Sequence, residues 1–456
     1  MGHAMYEYNP ELAEAVFAYC RDRMSMSPIP LDLGGLAEVP DAELATLIQP
    51  GGRRATEVLD FFQERLAPAV ISIDSPTFLA FIPNAPTKSS LLFDMVVACS
   101  GLNGTSWLES AGVVAAENCA LDLLSRRAGL PAGSGGAFVS GGSMGNLSGL
   151  TVGRDVGCAR VGIEPHRARF ALSGDAHSSV GKALHVLGVG SLVVESDDHR
   201  LTAERLAGAL DADPDPRSVV GVIATAGTTN AGIVDDLEGI GALARERDLW
   251  YHVDGAYGGA AMFSPTQSHL FAGLRHADSF VVDPHKWLLA PLDCAALLYR
   301  NPTVARRVLA QQAGYLDVLH AADDESYEWN PSDFAIHLSR RARGLPFWFS
   351  LATHGTDAYE SAIQAAIDMA RYAADTIAAS DHLELVREPT LSIVLFRRRG
   401  WEAPRYTQWS YQMLRDQLAF VTPTKWEGET VGRLAFLHPN TTRADVDAIV
   451  ESARVF

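Results

Sequence analysis

The middle of the chain alternates short apolar runs with amphipathic stretches. Runs at 169–173, 192–195, 219–224, 250–253, 280–282 and 295–299 have strand length. Between them, 180–187, 202–210 and 237–247 carry apolar residues at helical spacing. The strands are continuously apolar rather than alternating. They predict a mostly parallel sheet buried on both faces by helices, an α/β architecture.

The flanks differ. Residues 5–70 predict helices at 11–23, 41–47 and 55–66, interrupted by Pro28, Pro30 and Pro40. Helices follow at 89–101 and 113–128. Residues 311–335 lack any period, and a loop of that length suits a lid or a disordered segment. A long helix is expected over 345–379. Strand 391–397, helix 407–418, strand 431–437 and a helix capped at Thr442 then form a small α+β unit. The expected division is a helical N-terminal segment (1–74), a large α/β domain (75–355) and a small C-terminal α+β domain (356–456).

Composition narrows the partners. With 47% hydrophobic residues over 456 positions, the chain has ample core. A formal charge of −18 argues against nucleic acid and anionic membrane surfaces, which select clustered Lys and Arg. The five cysteines form no CxxC pair, so neither a metal site nor a disulfide framework is expected. Reduced thiols, a start without a secretory pattern and no long apolar window predict a cytoplasmic protein.

Five features fall at predicted strand ends, where α/β folds place their chemistry. Ser140-Gly141-Gly142-Ser143 enters a helix, a plain turn or an anion cradle. His177 follows the strand ending at 173; it can cap a helix or stack on a planar ligand. Thr228 and Thr229 follow strand 219–224, as a turn or as hydroxyls facing a crevice. Asp254 follows a buried strand and needs an opposite charge, either a nearby Arg or a protonated ring nitrogen. Lys286, between His285 and Trp287, emerges beyond strand 280–282, and a partly desolvated lysine can condense with a carbonyl. An anion cradle, a stacking ring, a carboxylate and a lysine together match one cofactor, pyridoxal 5′-phosphate (PLP).

These residues also carry a resemblance. Asp175-Ala176-His177-Ser178-Ser179-Val180, Gly227-Thr228-Thr229-Asn230, His252-Val253-Asp254-Gly255-Ala256-Tyr257 and Asp283-Pro284-His285-Lys286-Trp287 resemble the group II PLP-dependent amino-acid decarboxylases. Leu338 to Arg341, Trp348 and the run from Arg433 to Thr442 match too, so the likeness spans roughly 55–450. It implies PLP fold type I and a homodimer with the active site at its interface. It also implies decarboxylation of an amino-acid substrate to an amine, with an aromatic or apolar side chain favoured.

Residue by residue, the resemblance implies Lys286 as the covalent anchor, His285 as its cofactor-contacting neighbour and Asp254 as partner of the ring nitrogen. It places His177 over the ring, Ala256 against it, Gly142 and Ser143 at the phosphate, and Thr228 at a further cofactor contact. Phe81, Pro83, Asn84 and Trp107 fall where the family's substrate pocket lies.

Two departures stand out. Ser110-Ala111 replaces a common Ser-Pro. The position of the family's proton-donating loop tyrosine, counted back without gaps from Arg340, falls on Pro331. Tyr327, four residues earlier, takes that role if the loop is shifted. Relatives lacking the tyrosine resemble aldehyde synthases, an alternative product class; other fold-type I carbon–nitrogen or carbon–sulfur reactions form a further alternative.

Overall fold

The computed structural model describes residues 3–196, 198–311 and 328–456. The large sheet contains β1 (Gly135–Val139), β2 (Arg169–Ser173), β3 (Gly190–Val194), β4 (Val219–Thr225), β5 (Trp250–Asp254), β6 (Ser279–Val282) and β7 (Ala295–Tyr299). Their order is β1-β7-β6-β5-β4-β2-β3. Pairing from β6 through β3 is parallel, whereas β7 runs antiparallel to both β6 and β1. Every residue of β4, β5, β6 and β7 is buried, which is why these strands read as unbroken apolar runs.

Register decides where the chemistry gathers. Thr225 pairs with Asp254, Asp254 with Val281, Val282 with Ala296, and Ala295 with Val139. These residues line one edge of the sheet, so the loops leaving β1, β4, β5 and β6 converge there.

Strand β1 was not expected as a strand. It opens with two glycines, and a Cβ on Gly136 would sit 1.9 Å from the carbonyl oxygen of Leu297. The bare backbone hides the apolar signal while allowing the close pairing with β7.

The helix Gly142–Val161 crosses one face of the sheet. Gly145, Gly149, Gly153 and Gly157 form a stripe at spacing four. A Cβ on each would lie 2.6–3.0 Å from Val281, His252, Trp250 or Val220. Each interior glycine costs a helix about 1 kcal/mol relative to alanine. The close backbone approach offsets that cost through packing on β4, β5 and β6.

The C-terminal unit holds β8 (Leu383–Leu385), β9 (Ile393–Arg398), β10 (Thr424–Trp426) and β11 (Glu429–Ala435), antiparallel in the order β10-β11-β9-β8. Strands β8 and β10 have three residues each, too short for a period to show. The long helix Leu345–Ala378 is broken at Gly355, whose φ of +73° suits glycine. Residues 78–80 join this unit: Leu79 N–H donates to Phe420 O, and Ala435 N–H to Leu79 O. In the N-terminal segment, Pro10–Ser25, Asp41–Leu47 and Ala55–Phe61 are helical, the last continuing as a wider turn through Leu66.

Candidate active site

A cavity of about 190 Å³ opens at the converging strand ends. Gly142, Ser143, His177, Asp254, His285 and Lys286 line it, with Ala256 also on its wall.

Asp254 is the last residue of β5 and is buried. Its Oδ1 accepts from the Ala256 N–H at 3.1 Å, and its Oδ2 from the Asn146 amide at 2.9 Å. These donors fix the carboxylate, and among the described residues no cation forms an ion pair with it, the condition that a protonated ring nitrogen would satisfy.

Lys286 sits in the turn after β6, where its N–H donates to the Asp283 carbonyl. Its Nζ lies 3.0 Å from Asp283 Oδ2. His285 accepts on Nδ1 from the Cys294 N–H at 2.9 Å, which places its proton on Nε2, 3.5 Å from the same Asp283 oxygen. Burial works against the Asp283 charge, but Lys286 and His285 hold its carboxyl below the usual range.

His177 combines its two sequence readings. It is the N-cap of the helix Ser178–Leu187, accepting from the Ser179 N–H at 3.2 Å, and it lines the cavity. The 20-residue helix Gly142–Val161 starts on the same cavity wall, and the positive end of its dipole favours an anion there. A Cβ at Gly142 would meet Ala256 Cβ at 2.8 Å and Asp283 Oδ2 at 3.0 Å, so this corner admits only bare backbone. Such a corner suits a phosphate. A phosphate seat, a carboxylate, an imidazole and a lysine around one small cavity fit PLP.

Other expected residues lie elsewhere. The Thr228 hydroxyl accepts from the Ile233 N–H at 3.1 Å and closes a turn, while Thr225, Gly227 and Thr229 reach the wall. Asn84 is buried and donates to the carbonyls of Ala290 (2.8 Å) and His285, bracing the lysine loop from behind. Phe81 is 61% exposed and tilts against Phe420. Pro83 is buried, and Trp107 begins the helix Trp107–Arg127, its N–H donating to Asn330 Oδ1. Among the described residues that line the cavity, none of these four appears. Tyr327 lies outside the described residues.

Asn146, Ser179 and Asp283 touch the site yet were not singled out from sequence. Asp283 and Ser179 lie inside recognised motifs, but their partners are 141 and 33 residues distant. Asn146 had one usable signal: it is a polar residue on the glycine-striped face of its helix.

Comparison with known proteins agrees with this geometry. The family model described as the pyridoxal-dependent decarboxylase conserved domain matches residues 46–399. An aromatic-L-amino-acid decarboxylase of Bacillus atrophaeus is 30% identical over 89% of this chain and 86% of its own. A 4-hydroxyphenylacetaldehyde synthase of Rhodiola rosea is 29% identical over 77% and 74%. In fold, Oryza sativa TDC solved with PLP and tryptamine superposes with a TM-score of 0.89 at 24% identity, covering 98% and 99% of the two chains. With a lysine, a carboxylate and a phosphate corner around one cavity, the chain belongs to the pyridoxal-dependent decarboxylases, lyases that act on amino acids with PLP.

Proposed function

We propose that this enzyme converts an L-amino acid with an aromatic or apolar side chain to its amine and carbon dioxide. The observation that carries the reading is the convergence of Lys286, Asp254 and the helix start at Gly142 on one cavity. When bound, PLP supplies an electron sink for the bond that releases carbon dioxide.

The chain's own groups do the rest. Gly142 and Ser143 would seat the phosphate. Asp254 would hold a proton on the ring nitrogen, and His177, Ala256 and His285 would contact the ring. Thr228 shapes the turn that brings Gly227 and Thr229 to the wall. Lys286 would hold the cofactor covalently through its amine. His177 or Tyr327 returns a proton to the substrate carbon.

Phe81, Pro83, Asn84 and Trp107 form the substrate side of the site in a homodimer, with Phe81 serving the partner subunit's cavity. Exposed Leu92 and Val96, one helical turn apart, support an apolar face that a second copy covers. The aromatic relative named above favours an aromatic substrate. Among the described residues no helix is long and apolar enough to cross a membrane, and all five cysteines are free, which supports a cytoplasmic setting.

A second reading is oxygen-dependent conversion to an aldehyde. Pro331 at the ungapped tyrosine position and the likeness to an acetaldehyde synthase favour it. Amine, aldehyde, peroxide and oxygen uptake should be measured in one incubation with aromatic L-amino acids. Amine without oxygen uptake supports decarboxylation; aldehyde with peroxide supports the second reading. Lys286→Ala should abolish both turnover and the borohydride-fixable covalent attachment of the cofactor to the protein, and retention of either overturns its role.

A further inference from the structure

We propose that Asn146 is a positioning residue that ties the group at the ring nitrogen, Asp254, to the group over the ring face, His177, through a hydrogen-bond chain of one direction. The inference rests on the cofactor placement given above.

The chain begins at Trp250. An indole N–H can only donate, and Trp250 Nε1 lies 3.0 Å from Ser279 Oγ. That hydroxyl still has a proton to donate, and His252 Nδ1, at 2.7 Å, takes it because the Asn146 amide, turned NH₂-first to the Asp254 carboxylate, leaves its oxygen to accept from Nε2. His252 is fully buried, and burial pushes its pKa down to about 4 against the pull of Asp254, so the ring is neutral. Its single proton sits on Nε2 and is donated to Asn146 Oδ1 at 3.0 Å. The amide nitrogen then faces two acceptors, Asp254 Oδ2 at 2.9 Å and Ser179 Oγ at 3.2 Å. Ser179, already accepting, donates to His177 Nδ1 at 2.8 Å, beside its own N–H at 3.2 Å. The His177 proton is left on Nε2.

Only one amide orientation satisfies every group. A flipped Asn146 would set its oxygen against the Asp254 carboxylate and its NH₂ against the His252 N–H. Asn146 and His252 are fully buried, so no water relieves the mismatch. Gly149 makes the approach possible, since a Cβ there would come within 3.0 Å of His252. One buried amide thus orients the Asp254 carboxylate, sets the His252 tautomer and holds the Ser179 hydroxyl that, beside the Ser179 N–H, faces His177 Nδ1.

Two variants test this. Asn146→Asp is isosteric and keeps the acceptor for His252, but it replaces the donor facing Asp254 with a second carboxylate oxygen. Two carboxylates at that separation share a proton. Ser279→Ala removes only the hydroxyl that donates to His252 Nδ1, and Ser279 is not on the cavity wall. PLP affinity of the apo-protein is measured by fluorescence titration, and the pH at which the visible absorption of the loaded protein changes is recorded. Among the described residues, His177, Asp254, Tyr257, Asp283, His285 and Lys286 are the titratable groups on the cavity wall, with His252 behind Asn146, and all are present in both variants.

Asn146→Asp should weaken PLP binding by about tenfold or more and move the absorption transition by about one pH unit or more. Ser279→Ala should move it in the same direction by less. Wild-type affinity and an unmoved transition in Ser279→Ala overturn the proposal even where Asn146→Asp fails to fold. A wild-type protein whose absorption shows no pH transition on loading would instead sink the ring placement on which the proposal depends.

Discussion

Lys286 Nζ and Asp283 Oδ2 lie 3.0 Å apart, three residues from one another, with the carboxylate buried and the lysine a quarter exposed. The same oxygen accepts from the Gly142 N–H at 3.1 Å. A single buried atom thereby joins the lysine turn to the start of the helix Gly142–Val161. The proposed anchor and the proposed anion seat share one frame.

Asp283→Ala should therefore loosen both. Removing one partner of a buried pair strands the other, here softened by the partial exposure of Lys286. A loss of about 2–3 kcal/mol is expected. Urea unfolding of the apo-protein measures it, and a change below about 0.5 kcal/mol would contradict the shared role.

Asp254→Asn keeps shape but removes the charge. The fold should survive by circular dichroism, while kcat falls by about 10²-fold or more. An unchanged kcat would remove Asp254 from the reaction.

Glu117 and Arg340 form a fully buried pair, with both guanidinium nitrogens 2.7 Å from the carboxylate. Glu117 also accepts from the Gly344 N–H at 2.8 Å. Glu117→Ala leaves a buried cation uncompensated and should cost about 3–5 kcal/mol. Denaturant unfolding checks this, and the double variant Glu117→Ala with Arg340→Met should recover part of the loss.

His252 predicts an acid-side stability slope. Burial depresses its folded pKa to about 4, opposed by Asp254, below an unfolded value of about 6.5. As pH falls, the unfolded chain takes the proton first. The contribution of His252 is therefore complete above pH about 6.5 and is lost as pH falls toward about 4. Thermal melts of the apo-protein across that range should show a shallower decline for His252→Gln; parallel curves would refute the assignment.

Much of this was legible before the structure. Unbroken apolar strands announced a sheet covered on both faces. Lys286, Asp254 and His177 each follow a predicted strand, Gly142 and Ser143 open a predicted helix, and the structure brings all five to one cavity. Thr228 shows the limit of such reading: its neighbours face the cavity while its own hydroxyl closes the turn. Adjacent loop residues point in different directions, and spacing along the chain does not resolve which. Asn84 is similar, since its role behind the lysine loop depends on carbonyls about 200 residues away.

By itself the sequence determined the fold class and the cofactor. Side-chain periodicity and the chemistry of each functional group are local properties, readable one stretch at a time. Tertiary structure alone decided that β7 enters antiparallel between β1 and β6, that Asp283 bridges Lys286 to Gly142, and that Asn146 faces both Asp254 and Ser179. A hydrogen bond depends on the distance and angle between atoms far apart in the chain. Those are set only when the strands pair and the glycine-striped helix settles onto the sheet.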